Sequence, residues 1–413
     1  MGPSPSIPAT TLVTLAAFSL AAASCGRAAT PPPRDLARIP WDSLAASARG
    51  STVTWRMWRG DPSINAYVDR WVSPRLLQRY GITLNAVEGQ GAEIVNQLQV
   101  EKEARAGGTA DLVWINGETF HQLRQADLLY GPWSGRLPNA AWVDSASPII
   151  SRDFEQDPMG YESPWGTVQF ALIYDSARTP APPRSYAELR QWILAHPGRF
   201  THDQGFTGIT LLKQLMYALG GGVERFQGGF HEEVYATASE RIWRWLEEVR
   251  PALWRGGGSY PPGVAELHRL FANGEVDFTM SNNQNEVMTK VAQGIFPETA
   301  RALLLRDGTI ANAHFVGIPA NAPNPAGAMV VADFLLSPEA QLEKARSPVW
   351  GDGTVLAEER LPGDWATSFA ELARNPRALP RDSLARYARP EVDPEYHERL
   401  AREWRSRIRR GGS

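Results

Sequence analysis

The stretch from Ala110 to Trp133 reads ADLVWINGETFHQLRQADLLYGPW. Ala110 to Ile115 has the Val, Ile and Trp content of a buried strand. Asn116-Gly117-Glu118 then supplies turn chemistry and an N-cap, and the spacing predicts a helix from Phe120 to Leu128. Asn116, Gly117 and Glu118 therefore fall just outside the carboxyl end of a parallel strand. In open α/β sheets ligands bind there, because helix N-termini and unpaired loop donors converge.

The upstream sequence repeats this pattern. Ser51 to Met57 reads as a strand, followed by the polar loop Arg59-Gly60-Asp61-Pro62-Ser63. A helix from about Ile64 to Tyr80 places Tyr67, Val68, Trp71, Val72 and Leu76 at helical spacing. Ile82 to Val87 is the next strand, and Glu93 to Ala106 is an amphipathic helix that closes at Gly107-Gly108. With Ala110 to Ile115 this makes a β-α-β-α-β series. Helices between strands force parallel pairing and right-handed crossovers, so a doubly wound sheet is expected.

Pro164 to Asp175, PWGTVQFALIYD, breaks the rhythm with one long strand, and Ala311 to Pro319, ANAHFVGIP, is a second extended run before a helix from Ala326 to Leu336. Helices around Tyr186 to His196, Thr210 to Gly220 and Ala238 to Val249 alternate with strand candidates such as Val276 to Ser281. The middle of the chain is again α/β, and no internal repeat is visible.

The 110–133 segment resembles a signature of the extracellular solute-binding proteins of ABC importers, and is most similar to their YnjB-like group. Pro164 to Asp175 resembles the segment with which that superfamily crosses from its first lobe to its second. Gly198 to Thr201, Phe206 to Gly208, Leu270 to Asp277, Gly308 to Asn312 and Ser337 to Gln341 match in the expected order, so the resemblance covers nearly the whole chain after its leader. It implies a two-lobe periplasmic-binding-protein-like fold of type II, α/β throughout, each lobe a mainly parallel sheet flanked by helices. Residues 51–163 plus 316–349 are assigned to lobe one and residues 167–311 plus 350–413 to lobe two, with 1–24 as a signal peptide and 25–50 as a tether.

Length and composition agree with this organisation. A chain of 413 residues exceeds one comfortable core. A net charge of −3 gives no general electrostatic reason to bind nucleic acid. Basic residues are overwhelmingly Arg; the lysines are Lys102, Lys213, Lys290 and Lys344, a bias to which the sequence alone assigns no mechanism. Thr11 to Ala23 has the length of a signal-peptide h-region and is too short for a membrane span. It ends at Ala22-Ala23-Ser24-Cys25-Gly26, which resembles a bacterial lipobox: Cys25 would be acylated as the mature N-terminus. Ala22 stands where Leu is usual and no Lys or Arg precedes the run, so an ordinary secretory signal cleaved near Ser24 is the alternative. Either way the protein is expected to be exported to the periplasm or cell surface. Ala28 to Pro40, rich in Pro and Ala, reads as an extended spacer. Cys25 is the single cysteine, which excludes a disulfide framework and a cysteine-based metal site.

Cleft residues are expected from loops after strands and from the two crossings. In lobe one these are Trp58, Arg59, Gly60 and Asp61, then Asn116, Gly117 and Glu118. Arg59 suits a bidentate contact to a carboxylate or phosphate, or else a salt bridge with Asp61. In lobe two they are Asp203, Thr207 and the amide-rich run Ser281-Asn282-Asn283-Gln284-Asn285-Glu286, suited to hydrogen-bonding a small polar solute. Trp165, Gln169, Asn312 and His314 sit at the crossings. His231-Glu232-Glu233 and His202-Asp203 lack the spacing of a metal site, and there is no phosphate loop or nucleophile elbow. No metal and no cofactor are expected.

The resemblance implies a binding protein, not an enzyme, that delivers a small polar solute to an ABC permease and its ATPase, held to the membrane by a lipid anchor. Trp58, Trp114 and Trp165 beside Glu118 and Asp61 would suit a cationic, thiamine-like solute. An exported carbohydrate-active enzyme is the alternative from another class, but it needs two carboxyl groups at a defined separation, for which the sequence offers no pairing. A sensory module is the third possibility.

Overall fold

In the first sheet of the computed structural model β1 (Thr52–Met57) pairs in parallel with β2 (Thr83–Glu88) and β3 (Leu112–Ile115). The structure describes residues 1–2, 36–372 and 374–411, so the signal peptide, Cys25 and most of the Pro-rich spacer lie outside the described residues. β1 alternates as a half-buried strand must: Val53, Trp55 and Met57 point into the core. Gly81, at φ 66°, ends the helix before β2 in the left-handed conformation that a side chain would resist.

The two crossings are β4 (Glu162–Gln169), which continues after Phe170 as β5 (Ala171–Asp175), and the nine-residue β8 (Thr309–Gly317). β8 pairs antiparallel with both β3 and β4, giving the first sheet the order β2-β1-β3-β8-β4. The short β9 (Ala388–Arg389) adds to the far end of β8. The second sheet is β6 (Phe278–Ser281), β5 and β7 (Ala300–Leu303), with β5 in the middle.

Pairing in the second sheet differs from the parallel arrangement expected for each lobe: β5 is antiparallel to both neighbours. The reason is directional. β5 enters the lobe from the crossing and runs away from it, whereas β6 ends where the loop Asn282–Asn285 returns to the crossing, Gln284 accepting from the Gln169 N–H at 2.8 Å.

Two apolar cores accompany the two sheets. One holds Trp55, Tyr67, Phe120, Trp165, Phe315 and the helix Pro325–Leu335, buried from Gly327 onward; the other holds Leu172, Leu212, Phe271, Phe278 and Val287. Each fully buried large side chain contributes roughly 1.5–3 kcal/mol to its core. Two assignments at the edges change. Leu36, Leu44 and Ala48 are buried in the first core, where the helix Trp41–Ser47 packs on the helix Pro325–Leu335, so the fold starts before Ser51 and the tether is shorter than 25–50. Trp350, Leu356, Leu361 and Phe369 also join the first core, because the Trp350 ring inserts between Tyr67 and Trp165; the later part, Ala378 and then Val392 to Trp404, packs in the second. Among the described residues no helix is long and apolar enough to cross a membrane.

Candidate functional site

Four short polar loops, each after a strand or before a helix, carry most of the candidate residues. After β1, the Trp58 ring folds over Gly60, where a Cβ would lie 2.6 Å from the indole. Asp61 caps the helix Pro62–Ala66 by accepting from the Ser63 and Ile64 N–H groups. Arg59 is engaged elsewhere, in a two-toothed ion pair with Asp69 at 2.5 and 3.2 Å, and not with Asp61. After β3, Asn116 occupies the N-cap position of the helix Gly117–Gln125, its carbonyl accepting from the Phe120 N–H and its side chain from the Thr119 hydroxyl. From the second lobe, Asp203 accepts from the Gly205 N–H ahead of the helix Phe206–Gly220, and Asn282 donates to the Thr207 hydroxyl at 3.2 Å. Ser281 accepts from the Asn283 N–H, while the Asn283 side-chain NH2 is buried without a partner.

Contacts bridge the two lobes on both flanks. On one, Lys290 Nζ lies 2.6 Å from Asp61 Oδ2 and 3.2 Å from Glu286 Oε1, and Gln293 donates to the Ser63 hydroxyl. Burial lifts the Glu286 carboxyl to about 7 and pushes the His268 imidazole beside it down to about 3. On the other, His397 of the C-terminal helix Pro394–Gly411 lies 3.2 Å from Glu118, and Gln122 donates to Glu398 at 2.6 Å. Burial raises Glu118 to about 7 and drives His397 well below its ordinary value.

Between the flanks is a charged cluster shared by both lobes. Lys213, fully buried, donates to Glu391 at 2.6 Å, and Glu391 also accepts from the Asn312 side chain on β8. The Lys213 ammonium lies 4.4 Å from the ring centre of Phe154 and 5.4 Å from that of Phe206. Asp153 and Glu162 lie close by, both held well above the carboxylate range, by burial first and then by neighbouring carboxylates. Burial of this kind disfavours the charged form of a carboxyl, and a nearby cation favours it. Above the cluster opens a cavity of about 610 Å³ whose lining includes Arg152, Glu155, Asn312, Glu391 and Asp393.

The crossing residues divide. Asn312 faces the cavity. Trp165 is fully buried, packed edge-on against Trp55 and Trp114. Gln169 is tied to Thr309 and to the Leu384 carbonyl. His314 sits 3.1 Å from Asp352, which also pairs with the buried Lys344. Three of the four lysines, Lys213, Lys290 and Lys344, are thus buried ion-pair partners. Their rarity among 42 basic residues was the signal that sequence reasoning left unused. An ammonium is a compact donor that fits where a guanidinium fork does not. Lys213 and Glu391 themselves escaped because they belong to a helix interior and a C-terminal loop. Among the described residues no group of His, Cys, Asp and Glu is arranged to hold a metal ion.

Two α/β lobes joined by crossing strands, with a polar cavity beside the crossings that, of the candidate residues, only Asn312 lines, have the architecture of a solute-binding protein. The chain belongs to the bacterial extracellular solute-binding protein family, which it matches over residues 75–372. It is 37% identical to Protein YnjB of Escherichia coli K12 over 345 residues, 82% of this chain and 88% of that protein. In fold it is similar to a putative spermidine/putrescine ABC transporter protein from Listeria monocytogenes, with a TM-score of 0.61, 18% identity, and coverage of 86% of this chain and 98% of that one. It is similar also to a periplasmic thiamin binding protein, with a TM-score of 0.58, 17% identity, and coverage of 88% and 96%. The family is one of binding proteins, and the chain is accordingly not an enzyme.

Proposed function

We propose that the chain captures a small, positively charged polar solute between its lobes and hands it to the permease of an ABC importer. The observation that carries this reading is the charge of the interlobe cavity: Glu155, Glu391 and Asp393 line it against Arg152, with Lys213 paired to Glu391 and with Glu118, Asp153 and Glu162 behind. A lining in which carboxyls outnumber cations favours an ammonium or thiazolium over an anion. A thiamine-like molecule carries such a cationic group. Asn116, Asn282 and Asn312 supply directional hydrogen bonds. Anchoring by an acylated Cys25 would keep the cleft near the permease, a role supported by the lipobox-like Ala23-Ser24-Cys25-Gly26.

The test is a thermal-shift screen of the purified protein against cationic, neutral and anionic solutes, thiamine and putrescine among them. A true ligand at 100 times its Kd stabilises the folded state by roughly 2.7 kcal/mol. Stabilisation by cationic members supports the reading, stabilisation only by anions overturns the charge assignment, and a flat response across a broad library overturns solute capture at this cavity.

A further inference from the structure

Asn followed by Gly occurs twice in the chain, at Asn116-Gly117 and at Asn273-Gly274. This dipeptide carries a reaction of its own. The Gly amide nitrogen, shielded by no side chain, gives up its proton and attacks the Asn side-chain carbonyl carbon. A ring C–N bond forms, the bond to the side-chain nitrogen breaks, and ammonia leaves with the proton. Water then opens the cyclic imide at either carbonyl, giving aspartate or its isoaspartyl isomer. Water is the co-reactant, and nothing is oxidised or reduced.

The fold treats the two pairs differently. Asn116 is half-buried, and its side-chain oxygen accepts from the Thr119 hydroxyl at 3.2 Å. Its carbonyl accepts from the Phe120 N–H at 2.8 Å at the start of the helix Gly117–Gln125. Gly117 is buried, and an added Cβ there would come within 2.1 Å of the Phe154 ring. Ring closure has to swing the Gly117 nitrogen toward the Asn116 side chain, which breaks the first helical turn and this packing together.

Asn273, by contrast, is exposed, and among the described residues its side chain has no hydrogen-bond partner. It caps the C-terminus of the helix Val264–Ala272, and Gly274 follows at φ 73°, a left-handed conformation that glycine adopts freely. The Gly274 N–H donates to the Phe271 carbonyl at 3.0 Å and the Glu275 N–H to the Leu270 carbonyl at 2.9 Å, a pairing that ends many helices. These bonds restrain the attacking nitrogen until the last turn opens, and helix ends open at little cost.

We propose that Asn273 is a site of spontaneous modification: in the folded protein it deamidates through Gly274, while the fold protects Asn116. Either product places a carboxylate at the negative end of the helix Val264–Ala272, where the helix dipole disfavours it. The isoaspartyl form also adds one carbon to the backbone just ahead of the Gly274 and Glu275 carbonyls, which accept from Arg199 at 2.9 and 3.3 Å. The reaction involves neither the solute nor its cavity.

The test incubates the whole chain in mildly alkaline buffer, folded and in urea, and follows both pairs by tryptic digestion and mass spectrometry. Cleavage after Arg105, Arg124, Arg269 and Lys290 puts the pairs on separate peptides, 106–124 and 270–290. Each deamidation adds one mass unit, and fragmentation assigns it to Asn273 or to Asn282, Asn283 or Asn285. In the folded protein Asn273 should convert at least about tenfold faster than Asn116, because freeing Gly117 costs packing as well as hydrogen bonds. In urea the two should convert at similar rates. Asn273 still intact in the folded protein once the urea sample has converted overturns the site. So does conversion of Asn116 in the folded protein as fast as that of Asn273.

Discussion

Lys290 Nζ lies 2.6 Å from Asp61 Oδ2, so an ammonium buried in the second lobe grips the carboxylate that caps the helix Pro62–Ala66 of the first lobe. Burial pushes Asp61 up, but Lys290 and the Ser63 and Ile64 N–H groups outweigh it and hold the carboxyl below its usual value. A lowered carboxyl contributes stability that is present above its unfolded pKa and is lost as pH falls through the folded one. The link should therefore survive to about pH 4 and fail only in stronger acid. Lys290→Met leaves Asp61 and Glu286 uncompensated and should cost about 3 kcal/mol in denaturant unfolding. The double variant with Asp61→Asn should cost less than the sum of the singles, and an additive pair would show that the two groups do not interact.

Glu118 works in the opposite sense. Burial raises its carboxyl to about 7, so its folded-state contribution is full below about pH 4.5 and disappears as pH rises through 7. Glu118→Gln removes that charge. Relative to the parent, the variant should gain stability between pH 5 and pH 8, measured by calorimetry at both. A difference that moves the other way would mean that Glu118 is ionised in the fold.

Gly166 has no room for a side chain: a Cβ would lie 2.0 Å from both Asp352 Oδ2 and His314 Nε2. Gly166→Ala should force the His314–Asp352 pair apart and destabilise by about 1–3 kcal/mol, the usual penalty of overpacking. Gly135→Ala, where nothing lies within 4 Å of the added carbon, is the control and should be near neutral. Equal midpoints for the two variants would refute the steric argument.

Asn116, at a helix start of the first lobe, and Asn282, just after a strand of the second, are only half-buried. If both contact the solute, Asn116→Ala and Asn282→Ala each weaken binding by about 1–3 kcal/mol, the cost of an unsatisfied buried partner. The unfolding midpoint of the empty protein should barely move. Calorimetric titration with the solute found by screening decides; unchanged affinity in both would remove these loops from the site.

Cys25→Ala should release the protein from membranes in fractionation if Cys25 carries the anchor. Retention of the variant with its leader intact would make the apolar leader itself the anchor.

The β-α-β-α-β start was legible because each of its strands alternates or runs apolar within six residues and each helix has a clear stripe, as with Tyr67, Val68, Val72 and Leu76. The crossings were legible as long extended runs. The antiparallel second sheet was not, since strand direction depends on where β5 enters the lobe and no residue records that. Trp165 and His314 were legible as crossing residues but not as buried ones. Their burial depends on Trp350, distant in sequence, which packs 5.3 Å from the one ring and 5.8 Å from the other. Phe154 gave no signal at all: a lone aromatic in the polar run Arg152-Asp153-Phe154-Glu155-Gln156 reads as loop, and only the meeting of two lobes buries it.

The chain passes between the cores three times: along β4 into β5, back along β8, and again between Phe369 of the first core and Val392 of the second. The first two passages are hydrogen-bonded to each other from Glu162 and Gly317 to Gln169 and Ala311, forming a two-ply ribbon. A ribbon flexes across its flat face and resists stretching or shear in its plane, so the lobes have one easy motion, a swing about an axis lying across the ribbon. A protease nick in any single passage would leave two others intact, and the halves would stay paired and in register.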